Sequence, residues 1–299
     1  TSVTSGSVHS CGLTAAGAAW CWGFNASGQL GDGTLIDRQV PVAVQGGHSF
    51  RQLAAGSQHT CGVRADQVVL CWGSNANGRL GNGTQTSSPV PVAVASGTYT
   101  TISTSTGGHT CGIQPDQTLW CWGQNGAGRL GDGTTVDRLV PTQVLGGFLW
   151  VAVAAGGAHT CAVATTNSAY CWGTGGAGQL GTGSATNQST PVPVTGSLAL
   201  AAISAGTSHT CAVTTAQVGW CWGEGGLGRL GNGAQSNQLA PVEVSGGFAW
   251  QVIRSGGQHT CGVTTGGSAL CWGRNAEGQV GDGTNTARLT PVAVKPATP

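Results

Sequence analysis

Gln58-His59-Thr60-Cys61-Gly62-Val63, then Arg64-Ala65-Asp66-Gln67, then Val68-Val69-Leu70-Cys71-Trp72-Gly73: this stretch decides the fold. Two β-type runs flank a polar turn centred near Asp66, which reads as an antiparallel hairpin. Cys61 and Cys71 are equidistant from that turn and so lie opposite one another. Opposed Cβ atoms in such a pair are ~4.5–5.5 Å apart, close to what a disulfide needs. Before the hairpin runs an apolar segment, Phe50 to Ala55, ending at Gly56. After it come a Gly-rich loop, Ser74 to Thr84, and the alternating segment Pro89-Val90-Pro91-Val92-Ala93-Val94. No segment offers the roughly ten residues at 3.6 periodicity that a helix requires. The unit is therefore four short strands. A proline stands at position 41 of every copy, and proline cannot donate to a ladder, so the last strand is expected at the outer edge of its sheet.

The unit recurs without insertion or deletion. Its first cysteine falls at 11, 61, 111, 161, 211 and 261, and Cys-Trp-Gly begins at 21, 71, 121, 171, 221 and 271. Four strands in about 50 residues match one propeller blade. The expected fold is all-β: a single β-propeller domain over residues 1–299, with four-stranded blades from repeats 1–50, 51–100, 101–150, 151–200, 201–250 and 251–299. One intrablade disulfide is expected per blade: Cys11–Cys21, Cys61–Cys71, Cys111–Cys121, Cys161–Cys171, Cys211–Cys221 and Cys261–Cys271. Each short loop so closed is worth roughly 2–3 kcal/mol at best. The alternative is zinc on a Cys pair plus the histidine two residues upstream, but ten residues between cysteines supplies two ligands rather than four. Six copies leave two arrangements open: a ring closed by this chain alone, and one completed by another chain.

Other recurring residues read as architecture. His9, His59, His109, His159, His209 and His259 repeat sixfold, whereas a catalytic base stands singly beside a nucleophile. Their rings are expected to bond backbone groups and tie strands together. Trp22, Trp72, Trp122, Trp172, Trp222 and Trp272 point away from the cysteine side and are expected between blades. The glycines of Gly-x-Leu-Gly-x-Gly, such as Gly78, Gly81 and Gly83, imply positive φ or close approach, with the Leu filling the core. Asp32, Asp132 and Asp282 invite a calcium reading. Other copies carry Asn82, Thr182 and Asn232 there, and all three residue types bond their own turns. Asn25, Asn82 and Asn187 lie in Asn-x-Ser/Thr sequons, expected on surface loops.

Composition narrows function. Charged residues are 7% of the chain and the net charge is +1, so no basic stripe for nucleic acid exists. No apolar run approaches the ~20 residues of a membrane span. There is no methionine, not even at position 1, which reads as a processed mature chain or as the boundary of an expressed segment. Twelve cysteines in paired register point to an oxidising, extracellular compartment.

Together, Gly-x-x-His-Thr-Cys-x-Val, Cys-Trp-Gly-x-Asn-x-x-Gly-x-Leu-Gly-x-Gly-Thr and Pro-Val-x-Val resemble the regulator-of-chromosome-condensation repeat. Asn25, Asn75, Asn125 and Asn275 fit its Asn position, and Gly175 and Gly225 depart from it. The resemblance covers the whole chain and implies a propeller of four-stranded blades. The cysteine pairs turn the expectation towards a bacterial-type secreted member. The expected function is a non-enzymatic extracellular or cell-surface scaffold, structural or binding protein or glycan, without cofactor. A specific version assembles head to tail through the terminal segments Thr1–Ser5 and Pro291–Val294. Alternatives are a secreted hydrolase inhibitor, with Arg38, Arg138 and Arg288 as anchors, and a lectin-like glycan binder.

Overall fold

The computed structural model describes residues 2–295. It is a propeller of six four-stranded antiparallel blades, each with strands in sequential order. Blade 1 comprises Ser2–Ser5, His9–Leu13, Ala19–Gly23 and Arg38–Ala43. Blade 6 comprises Trp250–Ser255, His259–Thr264, Ala269–Gly273 and Arg288–Ala293. The first strands of successive blades pack against each other around the axis. The fourth strands, with Pro41, Pro91, Pro141, Pro191, Pro241 and Pro291, form the rim, as their missing N–H groups demand. Ser2–Ser5 therefore lies at the hub and Arg288–Ala293 at the rim, so these two strands do not pair with one another; Thr1 of the expected terminal segment lies outside the described residues. Two three-residue 3₁₀ turns, Ala76–Gly78 and Gly226–Gly228, interrupt the loops. No helix among the described residues is long and apolar enough to cross a membrane.

Strand alternation gives each sheet two apolar faces, and the blades stack through them. Cysteines face forward and tryptophans backward. Thus Cys11, Leu13, Ala19, Leu30 and Val44 of blade 1 meet Phe50, Leu53, Leu70 and Trp72 of blade 2. Each Cys-Trp-Gly tryptophan falls where the third and fourth strands slip register, for example between Cys121 and Gly123. Such a bulge bends the strand and re-aims the side chain. Leu30, Leu80, Leu130, Leu180, Leu230 and Val280 are fully buried. Gly81 shows why the flanking glycines are required. Its φ is +71°, and a Cβ there would lie 2.6 Å from the Trp122 Nε1 atom.

All six hairpin disulfides are formed, between residues in direct register with Cα atoms 4.0–4.1 Å apart. With every sulfur engaged, no thiolate remains for zinc. In blades 1 to 5 both cysteines are wholly buried, whereas Cys261 is partly exposed. Thiolate attack needs access to sulfur. Under native conditions a phosphine reductant is therefore expected to open Cys261–Cys271 first, as read by differential alkylation and mass spectrometry. Equal rates for Cys161–Cys171 and Cys261–Cys271 would contradict this.

Candidate functional site

Two ends of the propeller differ. One carries the short turns between first and second strands and the long loops between third and fourth. The other carries the second-to-third turns and the links between blades. Most of the chain's few charged side chains stand at the long-loop end, among them Asp37, Asp137, Glu224 and Glu277. Exposed Leu35 and Ile36 in blade 1 and Val136 in blade 3 stand there too.

These loops are short of regular structure yet heavily bonded. In blade 3 the Asn125 side-chain amide donates to Asp132 Oδ1 at 3.0 Å and to the carbonyls of Thr134 and Val136 at 3.1 Å. Its oxygen accepts the Leu130 N–H at 3.0 Å. Asn25, Asn75 and Asn275 repeat the pattern. In blades 4 and 5 glycine replaces this asparagine and its side-chain bonds are lost; what remains is the backbone N–H bond of Gly175 and Gly225 to Asn187 and Asn237, which Asn25 and Asn125 make to Asp37 and Asp137. The loop has closed over the vacated space: a Cβ on Gly175 would sit 2.1 Å from the Thr186 oxygen. Asn125→Ala should therefore remove several buried bonds at once, at a cost of about 2–4 kcal/mol. Urea unfolding measures it, and a loss under about 0.5 kcal/mol would refute the clamp.

Asp132 holds the other side of the loop. Burial raises its carboxyl, but bonds from Arg138, Thr134 and Asn125 outweigh this and keep it below the usual carboxylate range. Arg138 Nε donates to Asp132 Oδ2 at 2.7 Å, and Arg38 and Arg288 pair likewise with Asp32 and Asp282. The geometry bears on two alternatives raised by the sequence. The carboxylates are filled by N–H and O–H donors and a guanidinium, which leaves no oxygen cage for calcium. The three arginines are committed within their own loops and are not free anchors for an enzyme. Of the sequons, Asn187 is exposed, Asn82 is half-buried and Asn25 is fully buried. The bonded Asn25 amide has no room for a glycan.

Beneath the loops, the blades are joined by a relay that sequence patterning had assigned to backbone partners. His109 Nε2 lies 2.8 Å from Thr160 Oγ1 of the next blade. That hydroxyl donates to the Arg129 carbonyl at 2.8 Å, and Trp172 Nε1 donates to the same carbonyl at 2.9 Å. The threonine proton is committed, so the imidazole must be the donor and the neutral Nε2–H tautomer is fixed. The same relay starts from His9, His59, His159 and His209. The Nδ1 atoms of these five rings are buried without a partner. Threonine's part was missed, although a hydroxyl residue occupies position 10 of all six copies (Ser10 in the first). Nearby, Arg129 Nη1 donates to the carbonyls of Gly107 and Gly157, stapling turns of blades 3 and 4. Among the described residues no group of three or more His, Cys, Asp or Glu is placed to hold a metal.

Family comparison agrees with this architecture. The RCC1-like domain model matches residues 1–254, and the regulator of chromosome condensation (RCC1) repeat matches residues 253–279. The chain belongs to the RCC1-like family. No curated protein matches it significantly. Among solved structures, human WBSCR16 is similar to this RCC1-like chain at 20% identity and a TM-score of 0.89, covering 99% of this chain and 81% of that one. Prp20p from Saccharomyces cerevisiae, described with its binding to Gsp1p and histones, is similar at 19% identity and a TM-score of 0.87, with 99% and 76% covered. Yeast RCC1 (Prp20) bound to Kap60 is similar at 18% identity and a TM-score of 0.86, with 99% and 74% covered.

These findings correct the sequence-based placement. The fully matched RCC1-like structures are human and yeast proteins, and the yeast one is described with Gsp1p, histones and Kap60. None is described as a bacterial secreted scaffold, a hydrolase inhibitor or a glycan binder. The extracellular placement rested on the cysteines alone. The disulfides stand as blade staples, but they do not carry a compartment or a secreted function for this RCC1-like chain.

Proposed function

We propose that this RCC1-like propeller is a non-catalytic docking platform that engages a protein partner through its long-loop face. One observation carries the reading: loops held rigid by the Asn125 and Asp132 type of clamp present exposed Leu35, Ile36 and Val136 among side chains of both charge signs. Rigid loops lose little freedom on binding, and apolar groups inside a polar surround suit a protein interface. The absence of catalysis is supported by the chemistry of the histidines. The ring N–H of each of the five relay histidines serves a neighbouring blade, so none of the five is set apart with a nucleophile. A net charge of +1 gives no stripe for phosphates, which also favours protein.

Gsp1p and histones, the partners described for the yeast relative, are the first probes. The chain is immobilised and each is titrated over it. Ile36→Asp and Val136→Asp are each expected to weaken binding at least about tenfold, the scale of a central contact. Leu149→Asp, on the opposite face, is expected to leave binding unchanged. Loss of binding with Leu149→Asp alone, or no saturable binding to either probe, would overturn the reading.

A further inference from the structure

Blades 2 and 5 hold the same arginine in the same setting, with one difference. Arg79 and Arg229 occupy equivalent places in the loops between third and fourth strands. In each, Nε donates to the carbonyl three residues back, Ala76 at 3.0 Å and Gly226 at 2.9 Å. In each, the residue that follows this carbonyl has a left-handed backbone, Asn77 at φ +61° and Leu227 at φ +62°. Both arginines are buried. In blade 5 the guanidinium is paired. Arg229 Nη1 donates to Glu224 Oε2 at 2.9 Å, and that carboxylate, unlike the arginine, stands partly in solvent. In blade 2 the residue at Glu224's position is Ser74, whose side chain ends one atom past Cβ. Neither Nη atom of Arg79 has a hydrogen-bond partner among the described residues, and no carboxylate stands within ion-pair distance of it. The third buried arginine, Arg129, spends Nη1 on Gly107, Gln124 and Gly157.

A charge taken out of water without a counter-charge is costly, and a guanidinium cannot escape by giving up its proton. Burial pulls the Arg79 pKa down with nothing opposing it, whereas Glu224 opposes the same pull on Arg229. Both Nη atoms of Arg79 keep contact with solvent, so the open side can be reached. The side chain lies over the turn of blade 3, where a Cβ on Gly108 would sit 2.9 Å from Nη2. Its own loop is tied to that of blade 3 by Asn77 Nδ2, which donates to Asp137 Oδ2 at 2.7 Å, next to exposed Val136. The unpartnered cation thus adjoins the apolar part of the long-loop face. It stands at the finished junction of blades 2 and 3, where His59 meets Thr110. The junction of blades 6 and 1, across which no such relay bond is formed among the described residues, takes no part.

We propose that Arg79 is a seat for the carboxylate of an Asp or Glu side chain on the protein that docks on this face, which takes the place that Glu224 takes on Arg229. The inference rests on the docking reading above. One guanidinium edge matches the two oxygens of a carboxylate. A phosphate group, with about two charges and three acceptor oxygens, asks for more donors than one arginine supplies.

The repeats themselves indicate variants that fold. Gln29, Gln179 and Gln279 stand at this place in blades 1, 4 and 6, so Arg79→Gln removes the charge with a residue the loop accepts. Ser74→Glu copies the blade 5 pair and fills the seat from within. Arginine side-chain N–H signals of isotope-labelled protein are followed while sodium acetate replaces sodium chloride at constant ionic strength. A saturable shift is expected in the one signal that Arg79→Gln removes. It is expected to need at least about tenfold more acetate in Ser74→Glu. Arg229 is expected to respond only once Glu224→Ser vacates its place. The proposal is overturned by the lack of a saturable shift, by an equal response in Ser74→Glu, or by inorganic phosphate binding at least about tenfold tighter than acetate. With whichever of Gsp1p and histones binds, Arg79→Gln and Ser74→Glu are each expected to weaken binding at least about tenfold. Unchanged binding in both, with Ile36→Asp still weakening it, would overturn the seat and leave the docking reading standing. If acetate binds but neither protein does, the docking reading falls and takes the proposed occupant with it.

Discussion

Acidification is expected to unfold this chain steeply, with uptake of about five protons between roughly pH 6 and 4.5. The cause is the relay. Burial pushes His159 and His209 down to about 3 and His9 to about 4. His59 and His109 lie well below the ordinary histidine value, through burial first and then the charges of Arg79 and Arg129 respectively. In the unfolded chain these rings protonate near pH 6.5. Between that value and the folded values, the unfolded state binds more protons than the native state, so stability is complete above about 6.5 and is lost as pH falls. Each ring contributes about 1.4 kcal/mol per pH unit, and five in concert approach 7 kcal/mol per unit. Against a domain stability of about 5–15 kcal/mol, one to two units suffice. A titration followed by far-ultraviolet circular dichroism gives the midpoint, and its steepness gives the proton count. A transition confined below pH 3, or one taking up fewer than two protons, would contradict the fixed neutral tautomer. His109→Gln should make the transition shallower by about one proton.

The second large effect concerns tryptophan. Trp172 is wholly buried between blades 3 and 4, and its indole donates to the Arg129 carbonyl. Trp172→Ala is expected to cost about 3–5 kcal/mol, the range for deleting a large buried aromatic. Trp22 occupies the same place in its own repeat, but its face is open and its indole has no bond to a neighbouring blade among the described residues. Trp22→Ala should cost less than about 1 kcal/mol, as surface substitutions do. Chemical denaturation of the two variants decides it. Equal losses would mean that blade 1 is packed on both faces in solution.

Much of this architecture could be read from spacing. Cys61 and Cys71 about a turn at Asp66 fix the hairpin, its register and its bridge, because strand pairing is a local and arithmetical matter. Position-41 prolines mark the rim for the same reason. What lies across a face is not local. Alternation puts His109 on the forward side of its strand, but only the stacked blades show that the partner there is Thr160 rather than a backbone group. Asn25 sits in a Gly-rich loop, which usually means surface, yet the loop folds around its amide and buries it. Arg138 looked free until Asp132 was placed beside it. The opening between blades 6 and 1 was legible only as an open question of ring closure raised by six copies; Trp22 and Gln279 themselves stand at ordinary repeat positions. Compartment was read from cysteines, which report how a blade is stapled and nothing about where the chain works.

The prolines at the rim have a consequence for crowded solutions. A sheet margin with free N–H and C=O groups is a template on which another chain can zip, and that is how many β proteins precipitate or fibrillise. Pro41, Pro91, Pro141, Pro191, Pro241 and Pro291 place a residue that cannot donate in every outermost strand, so a neighbouring molecule finds each ladder interrupted. A protein built almost wholly from strands thereby offers a neighbouring copy no uninterrupted ladder at its rim, and is expected to resist edge-to-edge pairing when concentrated.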